Sequence, residues 1–357
     1  MKPHFQPQSE LARTLRQRVN AYLETQDVAS VRRRMLLKTV VIGVWYVASY
    51  VLLLLVASEV WQAALLSLSL AWAMAAVGFN IEHDANHGAY PVSPRWQRAL
   101  GYSLDVLAGS SYIWRIKHNR NHHEHTNVAG ADEDIDLRPF GRLAPSQPRR
   151  WYHRGQELYL WPLYGLLPLK WLLWDDFHDV VRGKIGDRSF RRPSGMELVG
   201  FVVGKLAALT LWFGLPLLLH PWQAVLPWVL VTSMVLGITL AVVFQLAHAV
   251  DATEFPKTEG DEPLLERDWV MHQLATTANY APQSRALGWL LGGLNHQVEH
   301  HLFPRVCHVH YHAIAPIVAD SCREAGVPYL AYPTFGSALR SHYQLLRRMG
   351  RADAIAA

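Results

Sequence analysis

Cysteine is nearly absent, with 2 residues in a chain of 357. That excludes a disulfide framework and any Cys-based zinc or iron–sulfur site. Charge is also scarce. Charged residues make up 18% of the chain, against about 25% in ordinary soluble domains. Half of the residues are apolar, which excludes a disordered chain. Low-complexity tracts and flexible linkers are missing. The first 38 residues are polar and basic, and they lack the short apolar core and cleavage site of a secretory signal. They read as a cytoplasmic basic segment, with one further domain over 39–357.

Long uncharged runs are what the chain has instead. Thr39 to Ser58 carries no charge, and neither does Val60 to Asn80. A bilayer core of ~30 Å needs about 20 apolar residues in a helix, so each run can cross it. Only Glu59 separates them, which predicts a tight helical hairpin. A second pair follows, Leu198 to Leu219 with one charge at Lys205, and the uncharged run Trp222 to Val250, with Pro221 at the turn. The expected fold is all-α integral membrane, with four crossings (39–58, 60–80, 198–219 and 222–250) in two hairpins. Lys205 reads as a snorkelling side chain or as lying near a span end. Leu158 to Trp174 is short and broken by Pro162, Pro168 and Lys170, so it reads as interfacial rather than as a fifth crossing.

Basic residues set an orientation. Of 34 Lys and Arg, eight precede the first run, 16 lie between Asn80 and Met196, and nine follow Val250. Neither hairpin tip has any. Basic loops stay cytoplasmic, so both termini and the middle segment are expected there. The surplus of positive charge then marks topology and contact with anionic lipid, with no need of nucleic acid.

The 19 histidines are not scattered, because eight fall in three clusters. These are His83 and His87, then His118, His122 and His123, and finally His296, His300 and His301. Residues i and i+4 share one helix face, so His83/His87, His118/His122 and His296/His300 can each aim two imidazoles at one point. His123 and His301 point roughly 100° away on a helix of 3.6 residues per turn, which suits a second metal. Neutral imidazole binds zinc, copper, iron and nickel. Eight rings are too many for one ion, so two metals fit the count. Asn86 and Asn295 are candidates to orient ligand rings, or to cap helices. Asp132, Glu133, Asp134 and Asp136 could be metal ligands or a docking patch for a cationic electron donor, but read first as a solvated acidic loop that pairs with nearby arginines. His308, His310 and His312 read as local hydrogen-bonding groups. A metal transporter is a rival, but transport sites lie near mid-membrane.

The segments "HDANHGAY", "KHNRNHHEHTNVAGADEDID", "VFQLAHAVDATEFP" and "GGLNHQVEHHLFPRVCHVHY" resemble the membrane fatty-acid desaturase superfamily, in a bacterial acyl-CoA or linoleoyl-CoA desaturase-like branch related to front-end desaturases. The resemblance runs from about Thr39 to Tyr329. It implies four crossings under a cytoplasmic helical cap that carries three histidine boxes. It also implies two iron ions, dioxygen as co-substrate, and insertion of a double bond into a fatty acyl chain. By position it implies His83, His87, His118, His122, His123, His300 and His301 as ligands, completed by His248 near the end of the fourth run. Gln297 matches a glutamine that front-end relatives have where other desaturases have histidine. Two assignments stay open: His296 is a ligand, or Gln297 faces the metals. The spacing of the second box favours His296. A hydroxylase, acetylenase or ketolase would share the scaffold. The acyl group could ride on coenzyme A, a carrier protein or a lipid. The first 38 residues are too few for a fused cytochrome, so a separate donor is expected, a ferredoxin with its reductase or a small cytochrome. A bacterial inner membrane is the expected location.

Overall fold

The computed structural model describes residues 4–186, 188–257 and 265–351. Four of its helices are long and apolar enough to cross a membrane. They are α2 (Val28–Leu55), α3 (Val60–His87), α7 (Met196–Leu219) and α8 (Trp222–His248). Around them lie α1 (Glu10–Glu24), α4 (Pro94–Gly101), α5 (111–122), α6 (Gln156–Gly165), α9 (Trp269–Thr276), α10 (Gln297–Leu302), α11 (Tyr311–Glu324) and α12 (Phe335–Arg351).

Local chemistry explains where these helices begin. The Asp27 carboxylate accepts from the backbone N–H groups of Ala29 and Ser30 at the start of α2. Gln62 reaches back to the Glu59 N–H and closes a capping box on α3. α2 therefore starts 11 residues before Thr39, the first residue of the uncharged run. Its early turns carry Arg32, Arg33, Arg34 and a buried Lys38.

α3 packs against both α2 and α8. Small residues on α3 (Ala71, Ala75, Ala76) are buried at this seam. The outer faces of α2 and α7 remain bare, with Val40, Val44, Val203 and Leu206 all exposed. An apolar surface of that extent has no place against water. α8 lies so close to α6 that a Cβ on Gly237 would sit 2.3 Å from the Tyr164 carbonyl oxygen. Gly237→Ala is expected to cost ~1–3 kcal/mol through forced separation of the two helices. Thermal unfolding in detergent, with Gly43→Ala as the unstrained control, checks it.

The chain over 156–182 is helical in short pieces and exposes Leu158, Leu166, Leu173, Trp174 and Phe177. Strand content is minimal. Lys184–Ile185 pairs antiparallel with Arg188–Ser189, and Asn279–Tyr280 runs parallel to Ala331–Tyr332. The second pair matters for position, because Asn279 holds α10. Its Oδ1 accepts from the Val298 N–H at 2.8 Å and its Nδ2 donates to Glu299 at 2.9 Å.

Candidate metal centre

Four elements, α3, α5, α8 and α10, converge where α3 and α8 end. The last turn of α3 brings His83 and His87, with ring centroids 4.7 Å apart. A π-helical segment over Gly78–Glu82 precedes them, and Gly88 ends the helix in the left-handed region at φ 74°. His248 is the last residue of α8. α10 supplies His300 and His301.

α5 departs from the expected geometry. It is π-helical over Arg115–His122, and the His123 N–H donates to the His118 carbonyl, five residues back. His118 and His123 consequently face each other, with their Nε2 atoms 3.2 Å apart. On a regular α-helix His123 would have pointed away. His118 also stays 5.1 Å from His122, ring to ring.

The eight rings form two linked groups. Ligand atoms of His83, His87, His118 and His300 all lie within 4.8 Å of one another, and so do those of His122, His248 and His301. His123 groups with His300 and His301 and connects the two. Every ring is buried, none more than 8% exposed.

Outer contacts fix which nitrogen faces inward. His122 Nδ1 donates to Asp132 Oδ2 at 3.0 Å. His248 Nδ1 donates to the Thr276 carbonyl at 3.2 Å, and His301 Nδ1 to Gln273 Oε1 at 2.9 Å. His300 Nδ1 lies 3.1 Å from the Tyr311 hydroxyl. The Nε2 atoms of His83, His87, His248, His300 and His301 are buried and make no hydrogen bond. Buried polar atoms are costly without partners, and so many imidazole nitrogens in one place suit metal ions. Burial pushes the His118, His123, His300 and His301 imidazoles well below their ordinary value, which keeps them neutral. At His122 burial is the largest effect and acts in the same direction, but Asp132 and Asp134 together outweigh it and the net shift is upward.

His296 stands apart. It occupies the cap position before α10, at φ −106° and ψ 59°, so the four-residue spacing to His300 does not put both on one helix face. Its ring packs on His312 at 5.6 Å, and its Nδ1 lies 3.7 Å from Glu299. Gln297 is the first residue of α10, three and four positions before His300 and His301, and its Nε2 is buried without a partner. The asparagines do not serve the rings as expected. Asn86 donates to Glu82 and to the Gly101 carbonyl and accepts from Arg115. Asn295 donates to the Ala281 carbonyl.

What sequence reasoning missed is the role of Asp132 as the partner that orients His122. Asp132 is 1% exposed and not part of a solvated loop. The same carboxylate oxygen accepts from His122 and from the Asn127 N–H. The only signal was its place ten residues after His122 in an acidic run, which looks like surface. Asp132→Asn is expected to weaken metal retention or turnover ~10–100-fold, read by metal content and rate on the purified protein. Gln273, Thr276 and Tyr311 were also illegible, since each acts from a distant segment.

Beside the cluster runs an apolar slot lined by Phe79, Leu107, Leu236, Leu240 and Phe244, with Glu82, His83 and Trp114 at its inner end. Met74 separates it from a second apolar cavity among Tyr46, Tyr50, Trp212 and Trp228.

The chain matches the family model described as fatty acid desaturase over residues 59–333. It is 39% identical over 344 residues to the sn-1 linoleoyl-lipid 6-desaturase of Synechocystis sp., covering 96% of each chain. It is 40% identical to the acyl-lipid (8-3)-desaturase of Physcomitrium patens, over 95% of this chain and 71% of that one. The sn-1 linoleoyl-lipid 6-desaturase of Arthrospira platensis is 35% identical over 94% of this chain and 91% of its own.

Proposed function

The chain belongs to the fatty acid desaturase family, and from that premise we propose that it inserts a double bond into a lipid-borne acyl chain at a pair of histidine-held irons. The observation that carries this reading is the set of buried, unpartnered imidazole nitrogens converging in two groups. We assign His83, His87, His118 and His300 to one ion, and His122, His248, His301 and His123 to the other. An iron pair bound there would couple loss of two hydrogens from adjacent methylenes to reduction of dioxygen to water, with two electrons and two protons from a donor.

The protein's part is positional. Asp132, Gln273 and the Thr276 carbonyl hold a proton on the Nδ1 atoms of His122, His301 and His248 and so direct each Nε2 inward. The slot wall keeps water from the acyl chain. Its inner end at His83 and Trp114 sets which carbon stops beside the metals. The relatives' names, linoleoyl-lipid and acyl-lipid, favour a lipid over coenzyme A as the acyl carrier. The Lys and Arg distribution favours termini and histidine boxes on the cytoplasmic side of a bacterial inner membrane, with α2–α3 and α7–α8 as the two crossing hairpins. We assign the electrons to a separate ferredoxin- or cytochrome-type donor.

Expression in a bacterial host of simple lipid composition, with mass spectrometry of total fatty acids, tests the reading. The expected product is an acyl chain two hydrogens lighter, with iron in the purified protein. A product carrying added oxygen, or protein that turns over without metal, overturns it.

A further inference from the structure

The last turn of α3 also borders a polar cleft of about 750 Å³. His83 borders the slot, and His87, one turn on, borders the cleft together with His123. The cleft therefore opens directly onto the metal cluster. Three arginines line it, Arg98 from α4, Arg115 from α5 and Arg305 after α10. Arg98 and Arg305 are exposed and Arg115 is half-buried. Among the described residues none of the three makes an ion pair, and Arg115 has one weak contact, to Asn86 Oδ1 at 3.3 Å.

The height of the cleft is fixed by its neighbours. His87 ends α3, and Glu197, in the first turn of α7, also borders the cleft. Both are ends of helices able to cross a membrane. α4 exposes Trp96 at 67%, two residues from Arg98, as an interfacial anchor does. The cleft thus sits at the level of lipid headgroups, and the His83 and His87 rings, 4.7 Å apart, join its lining to that of the apolar slot.

Resting on the desaturase reading above, we propose that this cleft binds the phosphodiester of a membrane glycerophospholipid, whose acyl chain passes the cluster and enters the slot. Guanidinium groups recognise phosphate by paired hydrogen bonds. The charge balance selects among phosphate carriers. Glu124 and Glu197 line the same cleft, so three arginines face two carboxylates. One phosphodiester suits that balance. Coenzyme A, with several phosphates, does not. An uncharged glycolipid leaves the arginines without a partner.

Two measurements on the full chain test the site. The first is turnover in nanodiscs with one susceptible acyl chain presented on phosphatidylethanolamine, on galactosyl-diacylglycerol or on coenzyme A. The second is binding of dihexanoyl-phosphatidylethanolamine, dihexanoylglycerol and inorganic phosphate, which needs no turnover. Wild-type protein is expected to prefer the phospholipid at least about tenfold in both, with inorganic phosphate unable to displace it. Arg98→Gln/Arg305→Gln is expected to erase that preference. A preference that survives the double variant, or turnover confined to the coenzyme A ester, overturns the proposal. Selective phospholipid binding without an unsaturated product from any donor would overturn the desaturase reading and leave the site standing.

Discussion

His300→Ala is expected to lose desaturation by more than ~100-fold, because removing a partner that only orients a metal ligand already costs 10–100-fold. Its ring touches both groups, with centroids 4.5 Å from His83 and 4.6 Å from His123. Its Nε2 is buried and bonded to nothing, whereas its Nδ1 is braced by Tyr311. Deleting it removes a donor from the first group and from the contact with the second. Metal content should fall with activity. His296→Ala is the matched comparison, from the same box and equally buried. That ring faces His312 and Glu299, so the variant is expected to keep its iron. Metal analysis of both proteins, with turnover, decides the point. Iron lost equally from the two would return His296 to the ligand set and undo the geometric distinction.

That pair of variants also marks the boundary of what could be read from the chain. The four long apolar helices were legible because uncharged runs of some 20 residues have few other uses. The converging boxes were legible because i,i+4 spacing is a property of any α-helix, and His83/His87 follow it. Where the backbone leaves that geometry, spacing stops informing. The π-helical stretch over Arg115–His122 turns His123 onto His118, and a non-helical cap residue turns His296 away. Nothing in local composition announces either. The partners of the rings were hidden for a different reason. Gln273, Thr276 and Tyr311 reach the cluster through tertiary packing, and a buried Asp132 looks in sequence like its half-buried neighbour Asp136. Lys38 ends the polar segment in sequence, yet its ammonium is buried in α2, 2.9 Å from His308 Nε2. His308 in turn bonds Asp84, next to His83, so the basic segment is tied into the first box.

Lys205 shows the same limit with a larger energetic consequence. As the one charge in a long apolar run it should reach for the membrane surface. It is instead 3% exposed, with its ammonium 2.6 Å from Asp176 and donating to the carbonyls of Ala108 and Trp171 at 2.8 and 3.0 Å. Burial pushes the Asp176 carboxyl up to about 6 in spite of Lys205, so the pair is costly to keep and costlier to split. Lys205→Met leaves Asp176 buried and alone, and is expected to cost ~3–5 kcal/mol. Adding Asp176→Leu removes the stranded charge and is expected to recover most of that loss, since an apolar replacement of a buried pair is often neutral or better. Thermal unfolding of the three proteins in one detergent measures both steps. Ala108 and Trp171 border the apolar slot, so the clamp also sets the spacing of its walls. The double variant should therefore regain stability without regaining full activity, because the two carbonyls remain untied. Full recovery of both would mean that the ammonium holds only its carboxylate and that the slot keeps its shape unaided.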